Sequence, residues 1–122
     1  MMDAKIWTEY ETRARLRDGD NMAVSLWSSG VFRLNDSAIR AMGEPDAVRL
    51  FFNRAERALA LVPAEVGARN AVPFRRLDGN EGRVLSALGF CRQFGILPEK
   101  AMAFDSPSIS PDGAMTLHLG PE

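Results

Sequence analysis

Arginine is the residue whose type and placement in this chain could do chemistry. The 122 residues carry 15 basic side chains, and all but Lys5 and Lys100 are arginine. A guanidinium group is planar, permanently charged and presents its N–H donors as a fork that matches phosphate oxygens and base edges. Arg33, Arg40, Arg75, Arg76, Arg83 and Arg92 form the one set that reads as a shared surface. Their chemistry would be phosphate contact, which supplies most sequence-independent affinity for nucleic acid and makes it salt-dependent. A plainer reading stands beside it. A solvated strand face could hold these arginines in local ion pairs with Asp36, Glu44, Asp78 and Glu81, worth about 0–1 kcal/mol each, and GC-rich coding would enrich arginine without any function.

Other reactive side chains point to no reaction. His118 is the only histidine, out of phase with Met115, Leu117 and Leu119 on its strand and with no partner suggested; it is expected to face solvent. Cys91, the only cysteine, shares a helical stripe with Leu88 and Phe94 and reads as a buried, inert thiol. Phe51, Phe52, Phe74, Phe90, Phe94 and Phe104 are most simply core. Asp78-Gly79-Asn80-Glu81 could hold a metal ion, but a hairpin turn explains it. Phosphate-loop, dinucleotide and Ser-His-Asp patterns are lacking. The expectation is a non-enzyme with no metal and no cofactor.

Composition sets the frame. The chain is 46% hydrophobic with a net charge of −1, suited to one domain that needs neither disulfide nor metal to fold. The charge is uneven. Residues 22–100 carry eleven basic and eight acidic side chains, whereas the last 22 residues carry three acids and no base. No apolar leader opens the chain, and the run Ala58–Ala64 is far too short to cross a membrane. These features suggest a soluble cytoplasmic protein.

The elements that must position the arginines alternate in period. Residues 22–29 run period-two, with Val24 and Leu26 on one face and Ser25 and Trp27 on the other, a strand signal. Gly30 offers a turn before "VFRLN". Asn35, Asp36 or Ser37 can cap a short helix with the apolar stripe Ala38, Ile39 and Met42, ended by Gly43 and Pro45. "AVRLFFN" and "RALALVP" follow as strands and "AEVGARNA" as a linker. The order then recurs: "AVPFRRL", a strand that Pro73 pushes toward an edge or bulge; a turn at Asp78-Gly79-Asn80; "GRVLS"; Ser86 as a cap; a helix over "ALGFCRQF" closed by Gly95; "AMAFD"; a longer turn "SPSISPDG"; and "AMTLHL". The stretches 30–43 and 82–95 open and close on glycine at one spacing and place Arg40 and Arg92 alike.

The chain is therefore read as mainly β with short helices: a duplicated β-β-α-β-β unit, with repeats 22–63 and 71–121, forming one barrel domain over 22–122. Neither repeat alone could cover its apolar sheet face, and closure would remove exposed edges. Residues 1–21 stand outside the repeat as an arm or short helix, with Trp7 and Tyr10 pinned to the barrel or to a partner.

A strand of alternating hydrophobics after glycine, leading into a short arginine-bearing helix that ends on glycine, resembles the AbrB/MazE/SpoVT family of swapped-hairpin DNA-binding domains. The first match is carried by Gly30, Phe32, Leu34, Arg40, Met42, Gly43 and Val48, the second by Gly82, Arg83, Val84, Arg92, Phe94 and Gly95. The resemblance implies a pseudo-dimer within one chain that grips double-stranded DNA through its first hairpin and helix. On that pattern the second repeat keeps Arg76, Arg83 and Arg92. The first keeps only Arg40, with Val24 and Val31 at the other slots, and Asn35 and Ser86 replace the family's proline before the helix. Two functions follow: a DNA-binding transcriptional regulator, with Arg33, Arg40, Arg75, Arg76, Arg83 and Arg92 at the duplex, or a protein-interaction module that contacts its partner through Trp7, Tyr10 and the acidic C-terminus. Either is compatible with an oligomer.

Overall fold

A computed structural model describes residues 22–76 and 82–119. The arm at 1–21, the turn at 78–80 and the terminal residues 120–122 lie outside the described residues. The rest is mainly β: β1 (Val24–Leu26), β2 (Val31–Leu34), α1 (Asp36–Ala41), β3 (Ala47–Asn53), β4 (Ala58–Ala64), β5 (Val72–Arg76), β6 (Arg83–Ser86), α2 (Leu88–Phe94), β7 (Met102–Ala103), β8 (Ser108–Ile109) and β9 (Met115–His118). All nine strands join one antiparallel sheet in the order β7-β1-β2-β6-β5-β3-β4-β9-β8. The short β8 arises inside the segment that reads as a turn.

Alternation explains the buried face. Val24 and Leu26 on β1, Phe32 and Leu34 on β2, Leu85 on β6, Leu59 and Leu61 on β4, and Met115 and Leu117 on β9 are all buried. They join one continuous core. Two helices of six and seven residues cannot shield one face of nine strands, so the sheet must cover itself. It curls into a half-barrel rather than a closed barrel: β7 and β8 remain separate edges. Phe32 at the centre stacks on Phe104, which follows the edge strand β7, with centroids 6.2 Å apart.

Both helices stop for local reasons, and α1 also starts for one. The Asn35 side chain accepts the Ala38 N–H (3.0 Å) and also the Ala23 N–H (3.0 Å), so the cap also ties α1 to the start of β1. The cap on α2 differs from the sequence reading. Its N-cap is Ala87, not Ser86, and no side chain satisfies it; the Ala87 N–H instead donates to the Gly30 carbonyl at 2.8 Å, and Ser86 points out to solvent. Gly43 and Gly95 close the helices alike, each in the left-handed region (φ 87° and 67°). In both, the residue after the glycine donates back to a helix carbonyl, Glu44 to Ile39 and Ile96 to Cys91.

The opening glycines do not match in the same way. Gly30 has φ 83°, and a Cβ there would come within 2.6 Å of the Leu88 Cα. Gly82 has no positive φ and instead lies against the Leu34 carbonyl. Cross-strand pairing sets Phe32 opposite Leu85 and Arg33 opposite Val84. Phe32 therefore shares the inner face with Leu85, not with Val84, its counterpart in the sequence match.

Pro73 marks a junction rather than an outer edge. Val72 and Pro73 pair with β3, while Phe74 to Arg76 pair with β6. The residue without an N–H falls where the strand passes from one half of the sheet to the other, and the Phe74 N–H resumes the ladder to the Asp46 carbonyl at 2.9 Å.

Replacing the two left-handed glycines should separate conformational strain from steric overlap. A Cβ at Gly43 meets nothing within 4 Å, so Gly43→Ala should cost only the backbone strain, about 1–2 kcal/mol. Gly30→Ala adds the overlap with Leu88 and should cost about 3 kcal/mol or more. Paired denaturant titrations would read the difference.

Candidate nucleic-acid interface

The six arginines divide by the end of the sheet they occupy. The end of β2, the start of β6 and the end of β5 lie side by side, because Leu34 pairs with Arg83 and Arg83 with Arg76. Directly opposed residues share a face, so two rows form. Ser25, Arg33, Val84 and Arg75 make the outer row, with both arginines exposed. They lie two strands apart, about 10 Å. Val24, Leu34, Arg83 and Arg76 make the next row. There the buried Val24 and Leu34 give way to a half-buried Arg83 and an exposed Arg76. Core face turns into basic surface along one row of cross-strand neighbours.

Arg40 faces the same end from α1. Arg33, Arg40, Ser37 and Gly82 border an open groove of about 900 Å³ whose floor includes Leu34 and Phe104. Arg40 is tied within its own helix by a 2.8 Å ion pair to Asp36, four residues earlier. The exposed pair is worth about 0.2–0.5 kcal/mol, so it orients the guanidinium without fixing it. Arg83 also reaches the Gly82 carbonyl at 3.4 Å.

Arg92 does not join this group. It is exposed on α2, which follows β6 from the far end of the sheet, where the Ala87 N–H meets Gly30. The structure thus brings together Arg33, Arg40, Arg75, Arg76 and Arg83 and leaves Arg92 at the opposite end. Asp78 and Glu81 lie outside the described residues.

One side chain at the sheet's outer face escapes sequence reasoning about function. Trp27 is 41% exposed; its Nε1–H donates to the Ser25 Oγ at 3.1 Å, and the Arg33 guanidinium lies 5.6 Å from its ring centroid. The signal was its phase: Trp27 falls on the solvent side of the β1 alternation, where an indole has no core to fill. A second departure is Phe51, expected in the core and found 47% exposed on the outer face of β3. The strand carries two consecutive phenylalanines, and alternation can bury only one of them. Phe52 turns inward against Phe94, with centroids 5.1 Å apart.

The remaining candidates behave as ordinary structure. His118 is exposed opposite Ala58. No group of three or more potential metal-binding side chains occurs among the described residues, and none of their helices is long and apolar enough to cross a membrane. Cys91 is fully buried, and burial pushes its thiol above the usual cysteine range. No family model, curated protein or solved structure matches the chain.

Cys91 offers a direct check on this packing. A thiol reagent should react with it only through opening of the core, so labelling under native conditions should be slowed to the unfolding-limited rate and become fast in denaturant. Rapid native labelling would contradict the buried placement.

Proposed function

We propose that this protein is a DNA-binding regulator that grips the duplex from one end of a duplicated, swapped-hairpin half-barrel. The observation that carries the reading is the convergence of Arg33, Arg40, Arg75, Arg76 and Arg83 around the β2, β6 and β5 ends. The described cross-strand neighbours of Arg33, Arg75, Arg76 and Arg83 are Ser25, Leu34, Val84 and one another, and among the described residues Asp36 is the acid that borders the groove. A net charge of −1 does not oppose this. Screening confines the field to roughly 8–10 Å at physiological salt, so the local patch governs the contact.

Strand order supports the duplicated scaffold. Exchanging β1 with β5, β2 with β6 and β3 with β7 leaves the series β7-β1-β2-β6-β5-β3 unchanged when read from the other end. Each unit's third strand pairs with the other unit's first, as in a hairpin exchange. The helix ends match at 52-residue spacing, Gly43 with Gly95. The central strands match one residue further on, Phe32 with Leu85; loss of one residue between strand and helix in the second unit accounts for both. The resemblance to AbrB/MazE/SpoVT domains rests on this order and on the motifs. The arginine distribution makes the grip unequal, with Arg92 and the Trp27 turn at the far end as the weaker contact.

Titration of duplex DNA at several salt concentrations tests the reading. The Arg76→Ala, Arg83→Ala double variant removes two phosphate contacts and should flatten the log–log salt slope by about 2. Arg92→Ala should change it by less. Absence of wild-type binding at low salt refutes the regulator. It would favour the protein-interaction module, whose proposed contacts Trp7 and Tyr10 lie outside the described residues.

A further inference from the structure

Among the described strands, β3 is satisfied on one side and open on the other. All seven of its residues pair with β4, but only Ala47 and Val48 pair with β5. Backbone groups alternate sides along an antiparallel strand. The Asp46 carbonyl accepts the Phe74 N–H from β5, so Val48, Leu50 and Phe52 turn their N–H and C=O groups the same way. Beyond Val48 the chain before β5 leaves in the turns around Glu65 to Ala71. The N–H and C=O groups of Leu50 and Phe52 therefore face a five-residue gap, Arg49–Asn53, along which no described strand lies. The outermost strands β7 and β8 are only two residues long, the usual way to blunt an edge. This opening is longer and carries the exposed Phe51 at its centre. Its arginines do not guard it: Arg49 lies over the Phe51 ring at 5.6 Å and Arg54 over the Phe52 ring at 5.7 Å.

We propose that the Arg49–Asn53 edge is a homodimer interface, in which two copies of this chain pair their β3 strands antiparallel about a two-fold axis through Phe51. This register fits the gap without overhang. Leu50 and the partner's Phe52 exchange both backbone hydrogen bonds, and the symmetric pair repeats them, so every open group is used. Phe51 faces the partner's Phe51 as a non-hydrogen-bonded pair, the closer of the two cross-strand spacings, at about 4.5 Å between Cα atoms. Arg49 faces the partner's Asn53, so no like charges are opposed. A second copy satisfies hydrogen bonding and aromatic pairing at once.

The full-length chain should show a concentration-dependent dimer by sedimentation or light scattering. Phe51→Glu sets two carboxylates face to face at the axis and should weaken the dimer about a hundredfold or more, as expected when a central aromatic anchor becomes a like-charge pair. Its outward position should leave the fold intact, checked by circular dichroism. Phe51→Cys should form an interchain disulfide under mild oxidation, because non-hydrogen-bonded partners lie within disulfide reach, whereas Arg49→Cys, off the axis, should not. A chain that stays monomeric overturns the proposal, and Leu50 and Phe52 amides protected from exchange in that monomer would assign the edge to another segment of the same chain. A dimer indifferent to Phe51→Glu also overturns it.

Discussion

The pairing of β2 with β6 is the contact on which everything else depends. It joins the two halves of the chain by setting Phe32 against Leu85, both fully buried. Helices as short as α1 and α2 cannot shield so wide a sheet, so its halves have to face one another, and the inner face of β2 is where they meet. Burying one phenylalanine removes its large apolar surface from water, an effect of about 2–3 kcal/mol, and Phe104 adds a near-parallel ring contact from beyond the far edge. The basic rows exist only because of this pairing. Arg33 on β2 and Arg75, Arg76 and Arg83 on β5 and β6 become neighbours when the strands between them are zipped.

The two ends of the sheet carry different chemistry. One brings Arg75, Arg76 and Arg83 to the strand ends beside a groove bordered by Arg33 and Arg40; the other presents an indole turn, a left-handed glycine packed on Leu88, Arg92 on α2 and the β3–β4 turn with Arg54 and Arg57. The difference lies in the side chains each end carries: Leu34, Arg83 and Arg76 stand side by side at one end of β2, β6 and β5, whereas Val31 pairs with Ser86 at the other.

Strand and helix positions were legible in the sequence because the apolar period changes from two to helical spacing at Asn35 and again near Ala87. The core positions Val24, Leu26, Phe32, Leu34, Ile39 and Met42 follow from those periods. What was not legible depended on partners distant in the chain. Which of Phe51 and Phe52 faces inward is set by the register with β4. The Ala87 N–H at the start of α2 finds its acceptor in the Gly30 carbonyl, more than fifty residues earlier, which no local rule reveals. Equal glycine spacing suggested that Gly30 and Gly82 do the same work, but Gly30 takes a left-handed conformation against Leu88 while Gly82 lies against the Leu34 carbonyl. Pro73 announced an interruption, yet only the complete strand order shows it as a hand-over between sheet halves. For the arginines, type and rough neighbourhood were readable, while the separation of Arg92 required knowing that β2 and β6 run in opposite directions.

The place of β9 in the strand order has a consequence for biogenesis. This strand, formed from Met115–His118, is inserted between β4 and β8, and it covers Leu59 and Leu61 through Leu117 and Met115. The first strand likewise waits for β7. A nascent chain emerging from the ribosome cannot finish this interior when β4 appears; it must wait until Met115–His118 has followed. Its assembly is dominated by distant pairings, which are slow to form. Until then Leu59 and Leu61 stay uncovered, a state that invites chaperones.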